Sequence, residues 1–271
     1  MTAETSRAAA FFDLDKTLIE GSSAVHFARA AYRAGMRSRR EIAHDLYANL
    51  KFRARGSTDE ETDALRDAVL QALAGQREVD LMRLGPTVLA GILPLIYTEV
   101  LEEAWSHIDA GRPAYIVTAA SHELAQTLAS VLALSGGIGV KSEVRDGVYT
   151  GQPDGPFTYR EGKVTAIKDL ADEAGFDLAE SYAYSDSESD LPMLRAVGHP
   201  VAVNPDAELE RVARAEGWRV MRFDKLARRI KVLGVVASLA LVGGGGGYLA
   251  GRLRDRRGSA RRLLRTMRRS A

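Results

Sequence analysis

The sequence predicts an α/β fold: a Rossmann-like parallel sheet core with helices on both faces and an inserted α-helical cap. Short apolar runs of strand length alternate with longer segments of helical periodicity, the pattern of a parallel sheet with right-handed crossovers. The first run, Ala8–Leu14, ends in carboxylates. The second, Pro113–Val117, follows about 90 residues later, far more than a simple crossover needs. The intervening segment is therefore expected to form the cap.

Local signals predict the other elements. Ser57–Glu60 is typical of a helix start and Gly75 of its end, and Pro86 and Pro94 are expected to break or kink helices. Alternation around Asp146-Gly147 predicts a β-hairpin. Further strands are expected at 181–184 and 200–203, and helices at 123–134, 163–173 and 206–216.

Composition restricts the chemistry. The chain of 271 residues has no cysteine, which excludes disulfides, thiolate metal sites and cysteine nucleophiles. The net charge is only +1, yet Arg252–Ala271 holds nine Arg and one Asp, so the remaining body is acidic and no nucleic-acid substrate is expected. The first residues lack the apolar run of a secretory signal, which favours a cytoplasmic catalytic domain.

An uncharged stretch precedes the basic tail. Val232–Gly251 contains no charged residue, and twenty residues at 1.5 Å each would reach about 30 Å, enough to cross a bilayer core. The stretch is interpreted as a C-terminal hydrophobic helix, transmembrane or membrane-associated. Its seven glycines leave a soluble, glycine-rich hinge as the alternative. The basic tail could also lie on an anionic membrane surface.

Two carboxylates mark the end of the first strand. Asp13 and Asp15 are two residues apart in the run Asp13-Leu14-Asp15-Lys16-Thr17. Like charges held close together in a buried place separate their pKa values, which suits a nucleophile paired with an acid/base. A solvated strand end is the alternative for such a pair in isolation.

Three further motifs follow in order along the chain. Thr118, just past the second strand and ahead of a helix, could help cradle an anion, although Ser or Thr there is usually only a cap, and Ser121 is better placed for capping. Lys163 leads a helix and could balance charge on a phosphoryl group. Asp186 and Asp190 belong to an acidic cluster suited to Mg²⁺, or to a solvated acidic turn.

Together these motifs resemble those of the haloacid dehalogenase superfamily, in subfamily IB, which contains the phosphoserine phosphatases. The resemblance rests on FFDLDKTL, YIVTAAS, Gly162-Lys163 and YSDSESDLPML, and it runs from about residue 8 to residue 224. It implies a phosphatase that hydrolyses a phosphate monoester, either a small metabolite or a lipid phosphate, with Mg²⁺ as cofactor and an aspartyl-phosphate intermediate.

The resemblance also implies roles. Asp13 would be the nucleophile and a metal ligand. Asp15 would be the general acid/base and would offer its backbone carbonyl to the metal. The remaining roles fall to residues that hold the phosphoryl oxygens (Thr118, Ala119 and Lys163) and to residues that bind or support the metal (Asp186 and Asp190).

The implied organisation has a catalytic core at 8–22 and 112–224, a helical cap at 23–111, the apolar segment at 232–251 and the basic tail at 252–271. One position departs from the family pattern. Phosphoserine phosphatases carry a Glu nine residues after the nucleophile, where this chain has Ser22, so phosphoserine is doubtful as the substrate. Phosphoryl transfer to another acceptor and a non-catalytic, membrane-tethered regulatory module are the alternative functions.

Overall fold

A computed structural model describes residues 8–36 and 59–223. Its centre is a six-stranded sheet in which every neighbouring pair is parallel. This confirms the predicted fold class. The strands, in the spatial order β3-β2-β1-β6-β7-β8, are β1 (Ala10–Phe12), β2 (Ala114–Ser121), β3 (Gly136–Val140), β6 (Tyr182–Ser185), β7 (His199–Val203) and β8 (Arg219–Met221).

Helices connect these strands and make up most of the described part of the segment between β1 and β2. Before β2 lie α1 (Ser23–Arg33), α2 (Asp59–Leu73), α3 (Glu78–Met82), α4 (Gly85–Ile92), a 3₁₀ turn (Leu93–Leu95) and α5 (Thr98–Asp109). After β2 come α6 (His122–Val131), α7 (Glu161–Ala174), a 3₁₀ turn (Glu188–Asp190), α8 (Leu191–Arg195) and α9 (Ala207–Glu216).

The predicted hairpin is confirmed, and the helical region is interrupted at both prolines, as expected. Strands β4 (Ser142–Arg145) and β5 (Val148–Pro153) pair antiparallel, and Asp146 and Gly147 between them both have positive φ, as a type I′ turn requires. Pro86 and Pro94 each stand in the first turn of a helix. Proline is favoured there because those backbone N–H groups have no intrahelical acceptor, so both residues start helices.

Strand β3 was not predicted from the sequence because glycines conceal it. A Cβ atom on Gly137 would lie 2.2 Å from the backbone carbon of Ala125, and one on Gly139 would lie 2.6 Å from the carbonyl oxygen of Ala120. The strand packs directly against the start of α6, so only glycine fits. Glycines usually indicate a loop, but here they are required because the strand and the helix are in close contact.

Alternating residues of the strands face opposite layers of helices. On one face Phe12 lies edge-on to His107 of α5 and stacks on Tyr184 with ring centroids 4.2 Å apart. On the other face Phe11 belongs to a buried cluster with residues of α7, α8 and α9, which include Ile167, Met193, Leu194, Leu209 and Ala213. The sheet is therefore covered on both sides, as the continuous apolar runs of its strands require.

A hydrogen-bonded chain fixes β6 beneath α5. Arg112 Nε donates to His107 Nδ1 at 2.9 Å, and His107 Nε2 lies 2.7 Å from Tyr184 Oη. Because arginine only donates, His107 carries its proton on Nε2 and donates it to Tyr184. Tyr184 in turn donates to Glu103 Oε1 at 3.0 Å, and Arg219 pairs with the same carboxylate. Burial is the main cause that lowers the pKa of His107 to about 4.

The segment between β1 and β2 contacts the hairpin as well as the sheet. The N–H of Gly75 donates to the Tyr149 carbonyl and the N–H of Tyr149 donates to the Gln76 carbonyl, both at 2.9 Å. Gly75 closes α2 with a φ of 77°, as the sequence predicted. Helix α5 packs on the sheet, so part of the segment 23–111 lies against the core; its boundaries as a separate cap remain a prediction.

The described residues up to Arg222 belong to one compact unit. Within residues 8–36 and 59–223, no helix has the length and apolar character needed to cross a membrane. The predicted hydrophobic helix at 232–251 and the basic tail at 252–271 lie outside the described residues.

Candidate active site

The site lies where the strand order of the sheet reverses. Strands β1 and β6 are neighbours, and the chain proceeds outward from β1 through β2 and β3, then from β6 through β7 and β8. In open α/β sheets, ligands bind beyond the carboxyl ends of the strands at this reversal, because the outgoing connections leave a crevice there. Asp13 follows β1 directly, and its N–H donates to the Tyr184 carbonyl at 2.9 Å.

A tight turn after β1 carries the second carboxylate out of the sheet. The N–H groups of Leu18 and Ile19 both donate to the Leu14 carbonyl at 3.0 Å. Lys16 occupies the left-handed region with φ 62°, where glycine is tolerated most easily. Lysine adopts this conformation at a modest cost in strain.

Lys163 reaches the site because of a strained turn before α7. Arg160 has φ 50° and ψ −118°, and the N–H of Gly162 donates to the Tyr159 carbonyl at 2.9 Å, the geometry of a type II′ turn, which favours glycine at Arg160's position. A Cβ on Gly162 would lie 1.7 Å from the Phe157 carbonyl oxygen. Glycine is obligatory there, and it sets the start of the helix that carries Lys163.

Lys163 joins two carboxylates at the centre of the site. Its Nζ donates to Asp13 Oδ1 at 2.6 Å and to Asp190 Oδ2 at 2.8 Å, and all three residues are buried. Burial disfavours the ammonium ion, yet the charges of Asp13 and Asp190 outweigh burial and raise the pKa of Lys163 above its ordinary value. The lysine is therefore a fixed cation against the proposed nucleophile.

Asp13 has an excess of negative charge around it despite that contact. Burial raises its pKa to about 7; Lys163 opposes the rise, and Asp190 and Asp186 add to it. Burial likewise raises the pKa of Asp186 to about 6, with Lys16 opposing. The three carboxylates repel one another in a place with little water.

The loop after β6 holds its acids with hydroxyl groups. Ser185 Oγ donates to Asp190 Oδ2 at 2.6 Å, and Thr17 Oγ1 donates to Asp186 Oδ1 at 3.4 Å. Thr17 and Ser185 are fully buried. Neither Thr17 nor Ser185 was assigned a role from the sequence, although both lie within the motifs. Their closeness in sequence to the acids of those motifs is the signal that could have identified them.

Asp15 lies at the start of α1. Its Oδ2 accepts from Ser22 Oγ at 2.7 Å, and its Oδ1 accepts from the Ser23 N–H at 2.8 Å. Both carboxylate oxygens are engaged by the first residues of the segment that follows the β1 loop. Ser22 was noted from the sequence only as a departure from phosphoserine phosphatases.

Thr118 and Ala119 lie within β2, which runs four residues beyond the predicted strand end at Val117. Thr118 is buried, and its Oγ1 accepts from the Ala120 N–H at 3.1 Å. Ser121 caps α6 by accepting from the Leu124 N–H at 3.4 Å. Ser121 is thus the capping residue, as expected, while Thr118 stands on the strand at the same sheet edge as Asp13.

The donor set fits a hard divalent cation. Among the described residues, no three carboxylate or imidazole side chains form a ready-made metal cage. Mg²⁺, however, is usually held by one or two carboxylates and completes its octahedron with water and substrate oxygens. Asp13 and Asp186 offer those carboxylates, and Asp190 Oδ1 is buried without a hydrogen-bond partner within the described residues. A cation would supply the charge that this cluster lacks.

Known proteins are similar to this chain in sequence. The family model for haloacid dehalogenase-like hydrolases matches residues 10–195. The chain is 40% identical to phosphoserine phosphatase SerB1 of Mycobacterium tuberculosis over 90% of this chain and 79% of that protein. It is 32% identical to a histidinol-phosphatase of Neisseria meningitidis over 79% of this chain and 98% of that protein.

A solved structure is similar to this chain in fold and sequence. A protein of unknown function from Bordetella pertussis superposes with a TM-score of 0.70 at 30% identity, over 80% of this chain and 99% of that one. The resemblance drawn from four short motifs is confirmed: the chain belongs to the haloacid dehalogenase-like hydrolases, among relatives that carry phosphatase names.

Proposed function

We propose that this hydrolase is a Mg²⁺-dependent phosphatase that cleaves a small phosphate monoester through a phospho-aspartate on Asp13. The observation that carries the proposal is the buried contact between Lys163 Nζ and Asp13 Oδ1 at 2.6 Å. A fixed cation beside a buried carboxylate at the carboxyl edge of the sheet suits a reaction that brings a phosphoryl group to that carboxylate.

The first half-reaction transfers the phosphoryl group to the protein. A carboxylate oxygen of Asp13 bonds to phosphorus while the bond from phosphorus to the leaving oxygen breaks. Asp15 gives its proton to that oxygen, so the product leaves as an alcohol and Asp15 becomes a carboxylate. Lys163, with Thr118 and the backbone at Ala119, balances charge on the phosphoryl oxygens.

The second half-reaction returns the protein to its starting state. A water oxygen bonds to phosphorus while the bond from phosphorus to Asp13 breaks. Asp15 accepts a proton from that water and is again the acid, and inorganic phosphate leaves.

Mg²⁺ would be held by Asp13 and Asp186, with the Asp15 carbonyl as a further oxygen donor and Asp190 in support. When bound it would neutralise charge on the phosphoryl oxygens. Without such a cation, the negative charges of Asp13, Asp186 and the substrate would repel one another. This is the reason for proposing that activity depends on the metal.

The substrate class is narrowed by one position. Ser22 carries no charge where phosphoserine phosphatases have a Glu, so an ammonium group would lack that partner, and Ser22 Oγ is already bonded to Asp15. Relatives include proteins named for phosphoserine and for histidinol phosphate. We therefore propose a small metabolite monoester and place a lipid phosphate second, because it rests on the uncharged run 232–251 alone.

The test is a screen of the purified full-length protein over phosphoserine, histidinol phosphate, sugar phosphates, a lysophospholipid phosphate and p-nitrophenyl phosphate, with Mg²⁺ or with EDTA. Hydrolysis is expected only with Mg²⁺. Asp13→Asn should lower kcat by about a thousandfold or more, since the covalent step is lost. Asp146→Asn, at the exposed hairpin turn, is the matched control and should retain full rate.

The covalent intermediate, a transferase activity and a non-catalytic regulatory role can each be distinguished by a separate measurement. Acid quenching during turnover should leave one phosphoryl group on the peptide that contains Asp13, sensitive to hydroxylamine. A transferase would form a phosphorylated acceptor in place of inorganic phosphate when alcohols are added. A regulatory module would bind phosphate esters without turnover, and full activity of Asp13→Asn would exclude the proposed nucleophile.

A further inference from the structure

We infer that Ser22 is a positioning residue for the acid/base Asp15, and that this contact links the orientation of Asp15 to the start of helix α1. The inference rests on the proposed function, because it concerns the half-reactions in which Asp15 gives and takes a proton. Its basis is the pair of hydrogen bonds that Asp15 accepts, from Ser22 Oγ at 2.7 Å and from the Ser23 N–H at 2.8 Å.

The Ser22 hydroxyl is not used for capping its own helix. Ser22 occupies the residue before α1 with the extended backbone of an N-cap (φ −126°, ψ 130°), yet its side chain makes no capping hydrogen bond. Asp15 accepts instead from the Ser23 N–H, one of the N–H groups that a helix leaves without an intrahelical partner. The helix is thus capped from across the loop by Asp15, and the hydroxyl is left to hold that carboxyl group.

A backbone hydrogen bond closes the loop between Asp15 and Ser22. The Lys16 N–H donates to the Gly21 carbonyl at 3.0 Å, and Gly21 has φ 92°, a conformation that other residues adopt only under strain. Asp15 and Ser22 therefore stand at the two ends of a short closed loop. A shift of α1 relative to the sheet would be transmitted to the Asp15 carboxyl group through two hydrogen bonds.

The two partners of the Asp15 carboxyl group differ in what they can donate and accept. The Ser23 N–H is a donor only, so Asp15 Oδ1 must accept in either protonation state. The Ser22 hydroxyl can donate or accept, so it can donate to an ionised Oδ2 and turn to accept from a protonated one. Oδ2 therefore keeps a hydrogen-bond partner in both half-reactions, and the two contacts together hold the Asp15 carboxyl group in one orientation.

Substitutions at position 22 separate this role from a role in binding substrate. Ser22→Ala removes the hydroxyl, whereas Ser22→Thr retains it, and Ser130→Ala, at an exposed helix position, is the matched control. Initial rates should be measured on an unactivated alkyl phosphate and on p-nitrophenyl phosphate, which needs little help from an acid because its leaving group is already stable as an anion.

Ser22→Ala is expected to lower kcat on the alkyl phosphate by about tenfold and on p-nitrophenyl phosphate by less than about threefold, with KM little changed. Ser22→Thr should restore most of the alkyl phosphate rate. In a background of Asp15→Asn, adding Ser22→Ala should change kcat by less than about twofold, since the group that Ser22 positions is already lost. If Ser22→Ala does not fold, Ser22→Gly gives the same comparison with a residue that helix starts accept.

Three outcomes would overturn the inference while leaving the phosphatase in place: equal loss on both esters, a rise in KM with kcat unchanged, or an undiminished effect in the Asp15→Asn background. A wild-type protein that hydrolyses neither ester with Mg²⁺ would overturn the proposed function, and this inference with it.

Discussion

Removal of one buried carboxylate should stabilise the metal-free protein. Asp186 is 7% exposed, and its pKa is raised from 3.8 to about 6, chiefly by burial. Above pH 6 the folded protein therefore holds an ionised group that the unfolded chain ionises more easily. A difference of about two pKa units corresponds to about 3 kcal/mol. Asp186→Asn carries no such charge, and its amide oxygen can still accept from Thr17.

The raised pKa of Asp186 determines the pH range in which Asp186→Asn changes the free energy of unfolding. Below pH 3.8 Asp186 is protonated in both the folded and the unfolded state, so Asp186→Asn is no more stable than wild type there. The cost to the wild-type protein grows between pH 3.8 and pH 6 and stays constant above. In EDTA, Asp186→Asn should raise the free energy of unfolding by up to about 3 kcal/mol at pH 8, and by about 1 kcal/mol at pH 4.5.

Urea unfolding at the two pH values measures this difference, with the exposed Asp146→Asn as control. Added Mg²⁺ should stabilise the wild-type protein at pH 8 in proportion to the logarithm of its concentration and should have little effect on Asp186→Asn. A variant that is less stable than wild type at pH 8 in EDTA would refute the electrostatic argument, and a variant that keeps the full Mg²⁺ response would refute the metal assignment.

Three further predictions concern other parts of the chain. Gly162→Ala, whose Cβ would lie 1.7 Å from the Phe157 carbonyl oxygen, should lower kcat at least about tenfold by displacing Lys163; Gly85→Ala, with open space around it, should not. His107 should contribute a loss of stability of up to about 3 kcal/mol from pH 6.5 to pH 4, opposite in sign to the contribution of Asp186, because the unfolded chain protonates His107 more readily than the folded one, in which its pKa is about 4; in urea unfolding, His107→Gln should gain about that much stability relative to wild type over the same pH range. Deletion of residues 233–271 should retain hydrolysis of p-nitrophenyl phosphate, and fractionation of expressing cells at low salt should show loss of membrane attachment; full-length protein found wholly in the soluble fraction would reject the anchor.

Much of the architecture was open to prediction because its signals are local. The apolar strand before Asp13, the Asp146-Gly147 turn and the helix end at Gly75 depend on residues close in sequence. The order of four short motifs sufficed to identify the family and to select the acids that the fold brings together. Strand β3 was missed because glycine is usually a signal of irregular structure, and only the nearby α6 explains its presence.

The sequence by itself determined which residues are proposed to carry the chemistry, since residue type and order indicate a candidate nucleophile, acid/base, cation and acidic loop. Only the tertiary structure decided how they meet. Lys163 and Asp13 are 150 positions apart, and nothing local predicts a contact of 2.6 Å between them. Likewise Ser22 is an ordinary helix-start residue by sequence, and its bond to Asp15 exists because the β1 loop folds back on itself. The physical reason is that burial, which raises the pKa of Asp13 and fixes its partners, is a property of the packed sheet edge and of no single segment.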